Sequence, residues 1–408
     1  MTNFVYFLLI LIPVSGFAIE RYLDYLNTTM WSDKLPDKLK GICDEKEYSN
    51  SQRYQKDNNQ LSFWSSLMNL AVILIMIIAG GFALIDSAAS SFSSSKVITA
   101  LIFFGILGFA SDLINVPFSY YDTFILENRY GFNTTTLKTF ITDHFKSWLL
   151  AILIGAPVFG LITWIYYSSG KNFWLYAWGV ITLFSIFISF FYSEIIVPLF
   201  NKQTPLPEGA LREKIEILAG KTGFRLKNIF IIDGSKRSTK ANAYFSGFGQ
   251  KKRIVLYDTL QDELTDDEIV AVLAHEIGHY RKKHVLLSLV ISVILTGLML
   301  FLFALVAGSK ALPEALGSKE ASFHLGLVAF GILYTPLALL TGLISNYISR
   351  KNEFSADHFA RENFNPELLA SALKKLAVKS LSNMMPHPAY VFFHYSHPPL
   401  LSRLEKLE

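Results

Sequence analysis

Long, almost charge-free apolar runs constrain this chain more than any other feature. They occupy residues 4–19, 63–85, 97–119, 147–167, 173–193, 285–308 and 325–348. A run of about 18 or more such residues is long enough to cross the hydrocarbon core of a bilayer as a helix. Inside that core only a helix or a closed barrel satisfies every backbone N–H and C=O. The chain has 408 residues, 51% of them hydrophobic. It is therefore expected to be a mainly α, multi-pass membrane protein with seven transmembrane helices. The first run is short, and a signal peptide is the rival reading. No Lys or Arg precedes it and Arg21 follows it, which is the reverse of signal-peptide polarity.

Lys and Arg placement orders the spans. Arg21, Lys34, Lys38, Lys40, Lys46, Arg53 and Lys56 lie between the first two runs. Arg129, Lys138 and Lys146 follow the third, and the segment after the fifth ends in Arg281, Lys282 and Lys283. The intervening connections carry only Lys96, Lys171, Lys310 and Lys319. The positive-inside rule then gives an outside N-terminus and puts every charge-rich segment, the C-terminus included, on the cytosolic side. The net charge of +4 reflects those loops and points to no nucleic-acid partner. A single cysteine, Cys43, excludes an intrachain disulfide and a cysteine zinc cluster.

Four parts follow. Residues 1–197 hold spans one to five, 198–284 an α+β segment, 285–349 spans six and seven, and 350–408 a helical tail. Within the second part a helix is expected near 208–219 and strands near 228–233, 241–246 and 253–257. Gly247, Gly249 and Gln250 turn the last two into a hairpin. Thr265 and Glu268 have capping-box spacing, which starts a helix. In the tail, Asn365 before Pro366 and Glu367 reads as an N-cap opening a helix to about Ser380. Lying on one side of the membrane, the second and fourth parts can pack into one small domain.

That Thr265 helix carries Ala274-His275-Glu276-Ile277-Gly278-His279. Residues i and i+4 of a helix face the same way. Two imidazoles so placed can bind one Zn2+, leaving room for a third ligand and water. Glu276 beside them can act as general base. A zinc ion brings the pKa of water it polarises to about 7. A third ligand is available downstream, where Glu353 and Asp357 are one helical turn apart. Glu353 can bind the ion while Asp357 accepts the outer N–H of a ligand histidine. Taken alone, that pair could equally be a solvated helix face. A second zinc pattern would need Gly at 282 and His at 285, where this chain has Lys282 and Val285. His284 is no substitute on an unbroken helix, because it lies about 140° around the axis from His279. It reads instead as a membrane-interface residue. His358, His387 and His394 read as structural. Asp112 and Glu194, within or at the end of spans, either face a cavity or make interhelical hydrogen bonds.

The sequence resembles the type I CAAX prenyl proteases, integral-membrane zinc metallopeptidases. The resemblance rests on Glu127-Asn128-Arg129-Tyr130-Gly131-Phe132-Asn133, Ser235-Lys236-Arg237-Ser238 with Asn242-Ala243-Tyr244, the His275 to His279 motif, Glu353 to Asp357, and Tyr395-Ser396-His397-Pro398-Pro399-Leu400. It implies zinc ligands His275, His279 and Glu353, one ion per chain, with Glu276 as general base. It implies that His397 and Arg403 act near the developing oxyanion, although His397 by itself reads as a loop histidine. It also implies that Asn242, Ala243 and Tyr244 hold substrate, and that seven spans enclose a chamber capped by a small cytosolic α+β zinc domain. The expected activity is hydrolysis of peptide bonds near the C-terminus of prenylated CAAX-type proteins, by a monomer. The alternatives are a bacterial quality-control protease with non-prenylated substrates and a non-enzymatic seven-span transporter or receptor. A bacterial inner membrane is the expected location, with the endoplasmic reticulum membrane as alternative.

Overall fold

A computed structural model describes residues 1–32, 34–224, 228–246, 253–318, 320 and 322–407. The first half of the chain is helical: α1 (Thr2–Thr28), α2 (Glu45–Ile78), α3 (Gly81–Phe92), α4 (Lys96–Tyr121), α5 (Leu137–Leu150), α6 (Ala156–Ser169), α7 (Phe173–Phe191) and α8 (Val197–Phe200). Asp44 and Glu47 cap α2 reciprocally, each side chain accepting the other's backbone N–H. The second apolar run does not form one helix. Gly80, at φ 69°, ends α2 and lets α3 begin in a new direction; glycine occupies that region without a steric penalty.

Among the described residues, six helical segments are long and apolar enough to cross a membrane: Thr2–Thr28, Glu45–Ile78, Lys96–Glu127, Leu137–Phe200, His284–Val306 and Phe323–Asn363. The apolar runs predict seven. The difference lies in Leu137–Phe200, which contains two of those runs. Gly170, at φ 55°, breaks it between α6 and α7, and those two helices pack against each other.

The second half carries the sheet. It contains β1 (Gln203–Pro205), α9 (Ala210–Lys221), β2 (Asn228–Ile232), β3 (Ala243–Ser246), β4 (Arg253–Tyr257), α10 (Asp258–Glu263) and α11 (Asp266–Arg281). Then come α12 (His284–Val306), α13 (Ala311–Ala315), α14 (Phe323–Asn363), α15 (Pro366–Lys379), α16 (Pro388–His394) and α17 (Leu400–Leu407). The sheet order is β1-β2-β4-β3. Strand β4 is parallel to β2 and antiparallel to β3, with Tyr244 opposite Val255. The expected helices and three of the strands are present, and the hairpin turn at 247–250 lies outside the described residues. Strand β1 goes unpredicted, being three residues long and ending in proline, which strands tolerate only at edges or ends.

Neighbouring contacts run from α1 to α2, α3, α4, α6, α7, α12 and α14, and from α14 back to α1. The spans are thus joined in succession and back to the first. A buried apolar cluster between them includes Leu9, Phe103, Ala177, Phe303, Phe323 and Leu325. Leu84, Phe92, Ile152, Leu183 and Leu305 point outward and exposed, a surface suited to lipid rather than water. A separate core lies under the sheet. Ile215, Ile254, Leu256, Ile269 and Leu273 meet Ala360, Leu369, Ala372 and Leu407 there, so sequence-distant parts of the chain share one interior. Helix α14 joins the two regions. At 41 residues it is about 60 Å long, enough to cross the bilayer and continue into the second core.

Candidate metal centre and active site

Helix α11 is fixed first at its start. Thr265 caps it, and Glu268 accepts the Thr265 backbone N–H at 2.9 Å. Glu268 also accepts from Ser371 at 2.7 Å and Lys375 at 2.8 Å, both on α15. Burial opposes its charge, but these donors outweigh burial and hold its pKa at about 2. Ile269, Leu273 and Ile277 anchor the apolar face of α11 in the core. The opposite register then carries His275 and His279, one turn apart.

Helix α14 approaches α11 at Gly278. A Cβ at that position would lie 3.1 Å from Ala356 Cα, Ala356 O and Phe359 Cβ. The missing side chain is what lets the two backbones close up, and it brings the Glu353 turn onto the two histidines. Glu353 Oε2 is 3.4 Å from His275 Nε2 and Glu353 Oε1 is 3.2 Å from His279 Nε2. The two Nε2 atoms are 3.1 Å apart. Among the described residues, these three form the one such cluster able to hold a metal ion.

These distances fit a metal ion. Four-coordinate zinc with ligand bonds of about 2.0–2.1 Å separates its ligand atoms by about 3.3 Å. The chemistry also fits, because Glu353 Oε2 is buried without a hydrogen-bond partner. Three lone-pair atoms converging this closely in a buried site require a cation or a proton between them. In the metal-free chain, burial opposes a charge on His275, but the carboxylates of Asp357 and Glu353 beside it raise its pKa to about 9. Ion binding therefore displaces a proton.

Further residues brace the cluster. Asp357 Oδ1 lies 2.8 Å from His275 Nδ1, which leaves the Nε2 lone pair of His275 facing the cluster. Arg403 of α17 forks onto Asp357, Nε to Oδ2 at 2.9 Å and Nη2 to Oδ1 at 2.6 Å. His397 Nδ1 is 2.9 Å from Glu353 Oε1. A cavity of about 950 Å³ opens in front of the cluster. It is lined by Glu276, His279, Glu353, His397, Asn242 and Tyr244, with Tyr192, Phe200 and Tyr257 among its aromatic walls.

Residues 205–408 match peptidase family M48, and residues 24–202 match the N-terminal CAAX prenyl protease module of five membrane helices. The chain belongs to peptidase family M48. It is a metallopeptidase and a multi-pass membrane protein. It is 37% identical to a CAAX prenyl protease 1 homolog of Oryza sativa subsp. japonica, over 96% of this chain and 94% of the relative. With CAAX prenyl protease 1 of Saccharomyces cerevisiae it shares 36% identity, over 97% of this chain and 93% of the relative. The crystal structure of S. mikatae Ste24p superposes with a TM-score of 0.93 at 35% identity, covering 99% of both chains.

For this M48 chain, the structure brings His275, Glu276, His279, Glu353, Asp357, His397 and Arg403 together. Asn242, Ala243 and Tyr244 lie on or next to the edge strand β3, whose outer side has no strand partner among the described residues. Arg403 is held by Asp357 and also approaches the cluster directly, Nη2 3.4 Å from His275 Nδ1 and Nη1 3.8 Å from Glu353 Oε2, and it is not part of the cavity lining. Asp112 accepts from Trp148 Nε1 at 2.9 Å and Glu194 pairs with Arg253, so both carboxylates are held by side chains from other segments. His358 pairs with Glu362 on the helix surface, His387 caps α16, and His394 faces Glu20.

Two residues escape a reading of the sequence. Gly278 looks like a filler position inside the motif, and its role emerges only once α14 is placed against it. His284, expected to point about 140° away from His279, opens the membrane-capable helix α12 and is buried, 7% exposed, with Nδ1 3.1 Å from His279 Nδ1. A separation of about 140° holds only on a continuous helix, and the chain breaks at Lys283, φ 59°.

Proposed function

We propose that this chain is a zinc-dependent endopeptidase that cleaves near the C-terminus of prenylated CAAX-type proteins at the cytosolic face of its membrane. The observation that carries the reading is the convergence of His275, His279 and Glu353 at the wall of a cavity that also contains Glu276, His397 and a strand edge with no strand partner among the described residues. His275, His279 and Glu353 are the ligands. Bound zinc would supply Lewis-acid polarisation of the scissile carbonyl and acidify the attacking water. Glu276 takes that water's proton and passes it to the leaving nitrogen. His397, 67% exposed in its side chain, is free to turn from Glu353 and donate to the carbonyl oxygen as it gains charge. Asp357 and Arg403 keep His275 in the tautomer that offers Nε2. An extended substrate adds to the open edge of β3 through main-chain hydrogen bonds, with Asn242 and Tyr244 beside it.

The relatives named above are CAAX prenyl proteases, which supports the prenylated substrate over the quality-control reading. Their eukaryotic sources support the endoplasmic reticulum membrane over a bacterial inner membrane. The Lys and Arg asymmetry of the loops supports a cytosolic active site. The proposed ligand set, His275, His279 and Glu353, is complete within a single chain, so a monomer would suffice for the site. The core shared by Ile215, Leu273, Leu369 and Leu407 supports treating 198–284 and 350–408 as one catalytic unit.

The test is kcat/KM of the purified full chain on a CAAX peptide with and without a farnesyl group. The farnesylated peptide should be preferred by at least tenfold. Equal rates on both would overturn the substrate assignment. No cleavage of either by zinc-loaded protein would overturn the peptidase reading.

A further inference from the structure

Among the described residues, two that are not glycine have a positive φ, Lys283 and Leu381. Side chains with a Cβ rarely occupy that region, and when they do the surroundings must hold them there. Lys283 is the second of two residues between α11, which ends at Arg281, and α12, which begins at His284. Its backbone N–H still bonds to Tyr280 O at 2.9 Å, and Lys282 N–H to Gly278 O at 3.0 Å. Helix α11 thus closes normally, and the left-handed step at Lys283 then redirects the chain. In a continuous helix His284 would point about 140° away from His279. Here the step returns it to His279, with the two Nδ1 atoms 3.1 Å apart and the rings edge to face at 78°.

His279 Nε2 faces His275 and Glu353. A histidine that binds a metal through Nε2 carries its proton on Nδ1, and that proton needs an acceptor. His275 has Asp357 in this role. His279 Nδ1 faces a second imidazole. We propose that His284 is a positioning residue for the metal centre. It accepts the Nδ1–H of His279, fixing that ligand's tautomer and ring plane, and the left-handed backbone of Lys283 presents it. The two ligand histidines are then braced by different chemistry, one by a carboxylate and one by a neutral imidazole at the mouth of α12. This inference rests on His279 being a metal ligand, as proposed above.

The experiment measures the zinc dissociation constant of the purified full chain by competition with a chromophoric chelator at fixed pH. It compares wild type, His284→Phe, His284→Asn and His279→Ala. Phenylalanine keeps the ring and removes the acceptor. Asparagine keeps an acceptor near the Nδ1 position. His284→Phe should bind zinc roughly 10–100-fold more weakly, with His284→Asn restored to within a few fold of wild type. Thermal unfolding of each metal-free variant checks that the fold is intact. If phenylalanine prevents folding, His284→Leu removes the acceptor with less bulk. Wild-type zinc affinity in His284→Phe or His284→Leu, with binding abolished in His279→Ala, would overturn this inference and leave the proposed metal site standing. Equal weakening by Phe and Asn would overturn it as well, since packing and not the acceptor would then matter. Wild-type affinity in His279→Ala would instead overturn the ligand set, and this inference with it.

Discussion

Replacing Gly278 with alanine puts a methyl group where two helices touch. Its Cβ would lie 3.1 Å from three atoms of α14: Ala356 Cα, Ala356 O and Phe359 Cβ. Comfortable carbon contacts are about 3.5–4.0 Å, so α14 would have to retreat by about 0.4 Å or more. None of the three atoms belongs to the end of a flexible side chain that could swing aside. Glu353 lies less than one turn from Ala356, and ligand distances in a metal site tolerate only about 0.2 Å of error. Overpacking costs roughly 1–3 kcal/mol, against about 1 kcal/mol gained from the better helix propensity of alanine. The metal-free variant should therefore be destabilised by about 0–2 kcal/mol, and its zinc affinity should fall roughly tenfold, or about 1.4 kcal/mol. Chelator competition gives the affinity, and thermal unfolding with and without zinc gives the stability. The opposite sign refutes the reasoning. A raised melting temperature with unchanged zinc affinity is what an ordinary helix glycine gives when changed to alanine.

Other expected outcomes follow from the same geometry. Glu276→Gln should keep zinc and the fold but lose nearly all turnover, whereas Glu353→Ala should lose zinc; an active, metal-loaded Glu276→Gln enzyme contradicts the general-base role. His397→Ala should lower kcat by about 10²–10³-fold, the loss typical of one donor to a developing oxyanion, with zinc content unchanged; an intact rate removes His397 from catalysis. Arg403→Ala should weaken zinc binding and stability together, because it leaves Asp357 buried without its guanidinium partner; a variant that alters kcat alone contradicts that bracing role. The pKa of Glu268 is depressed from 4.5 to about 2, so its contribution is complete above about pH 5 and is lost as pH falls from about 4.5 through about 2. That contribution is on the order of 3 kcal/mol, and denaturant midpoints should fall over this window in wild type and less in Glu268→Gln; parallel pH curves contradict it. Reporter fusions after Lys96 and after Asn201 should report opposite sides of the membrane, and same-side signals contradict the topology.

Much of this protein is legible in its amino-acid sequence. Apolar runs must become membrane helices because lipid offers no partner for an open backbone. The i, i+4 histidines must share a face because helix geometry is local. The same holds for Thr265 with Glu268 and for Asn365 before Pro366, both of which start helices as expected. Even the pairing of Asp357 with a ligand histidine can be anticipated, since Glu353 and Asp357 lie one turn apart on a single helix.

What the sequence could not supply are the properties that depend on where elements meet or where they break. The break at Gly80 lies inside an apolar run and leaves the hydrophobic pattern intact, so the run does not show that it divides into two helices, whereas the break at Gly170 falls in the gap between two runs, as expected. Strand β1 is too short for any alternation and exists because β2 offers it an edge. Gly278 matters only because α14 crosses α11 at that residue, and nothing near it in the chain marks it as the partner of a helix so distant in sequence. His284 matters because one backbone torsion, at Lys283, takes a value that a lysine rarely adopts. Local periodicity assigned the ligands to helix faces, because side chains one turn apart obey the geometry of a single helix. The closure of the site was decided by long-range packing, because the contact between α11 and α14 and the left-handed step into α12 are set by neighbours that no local pattern encodes.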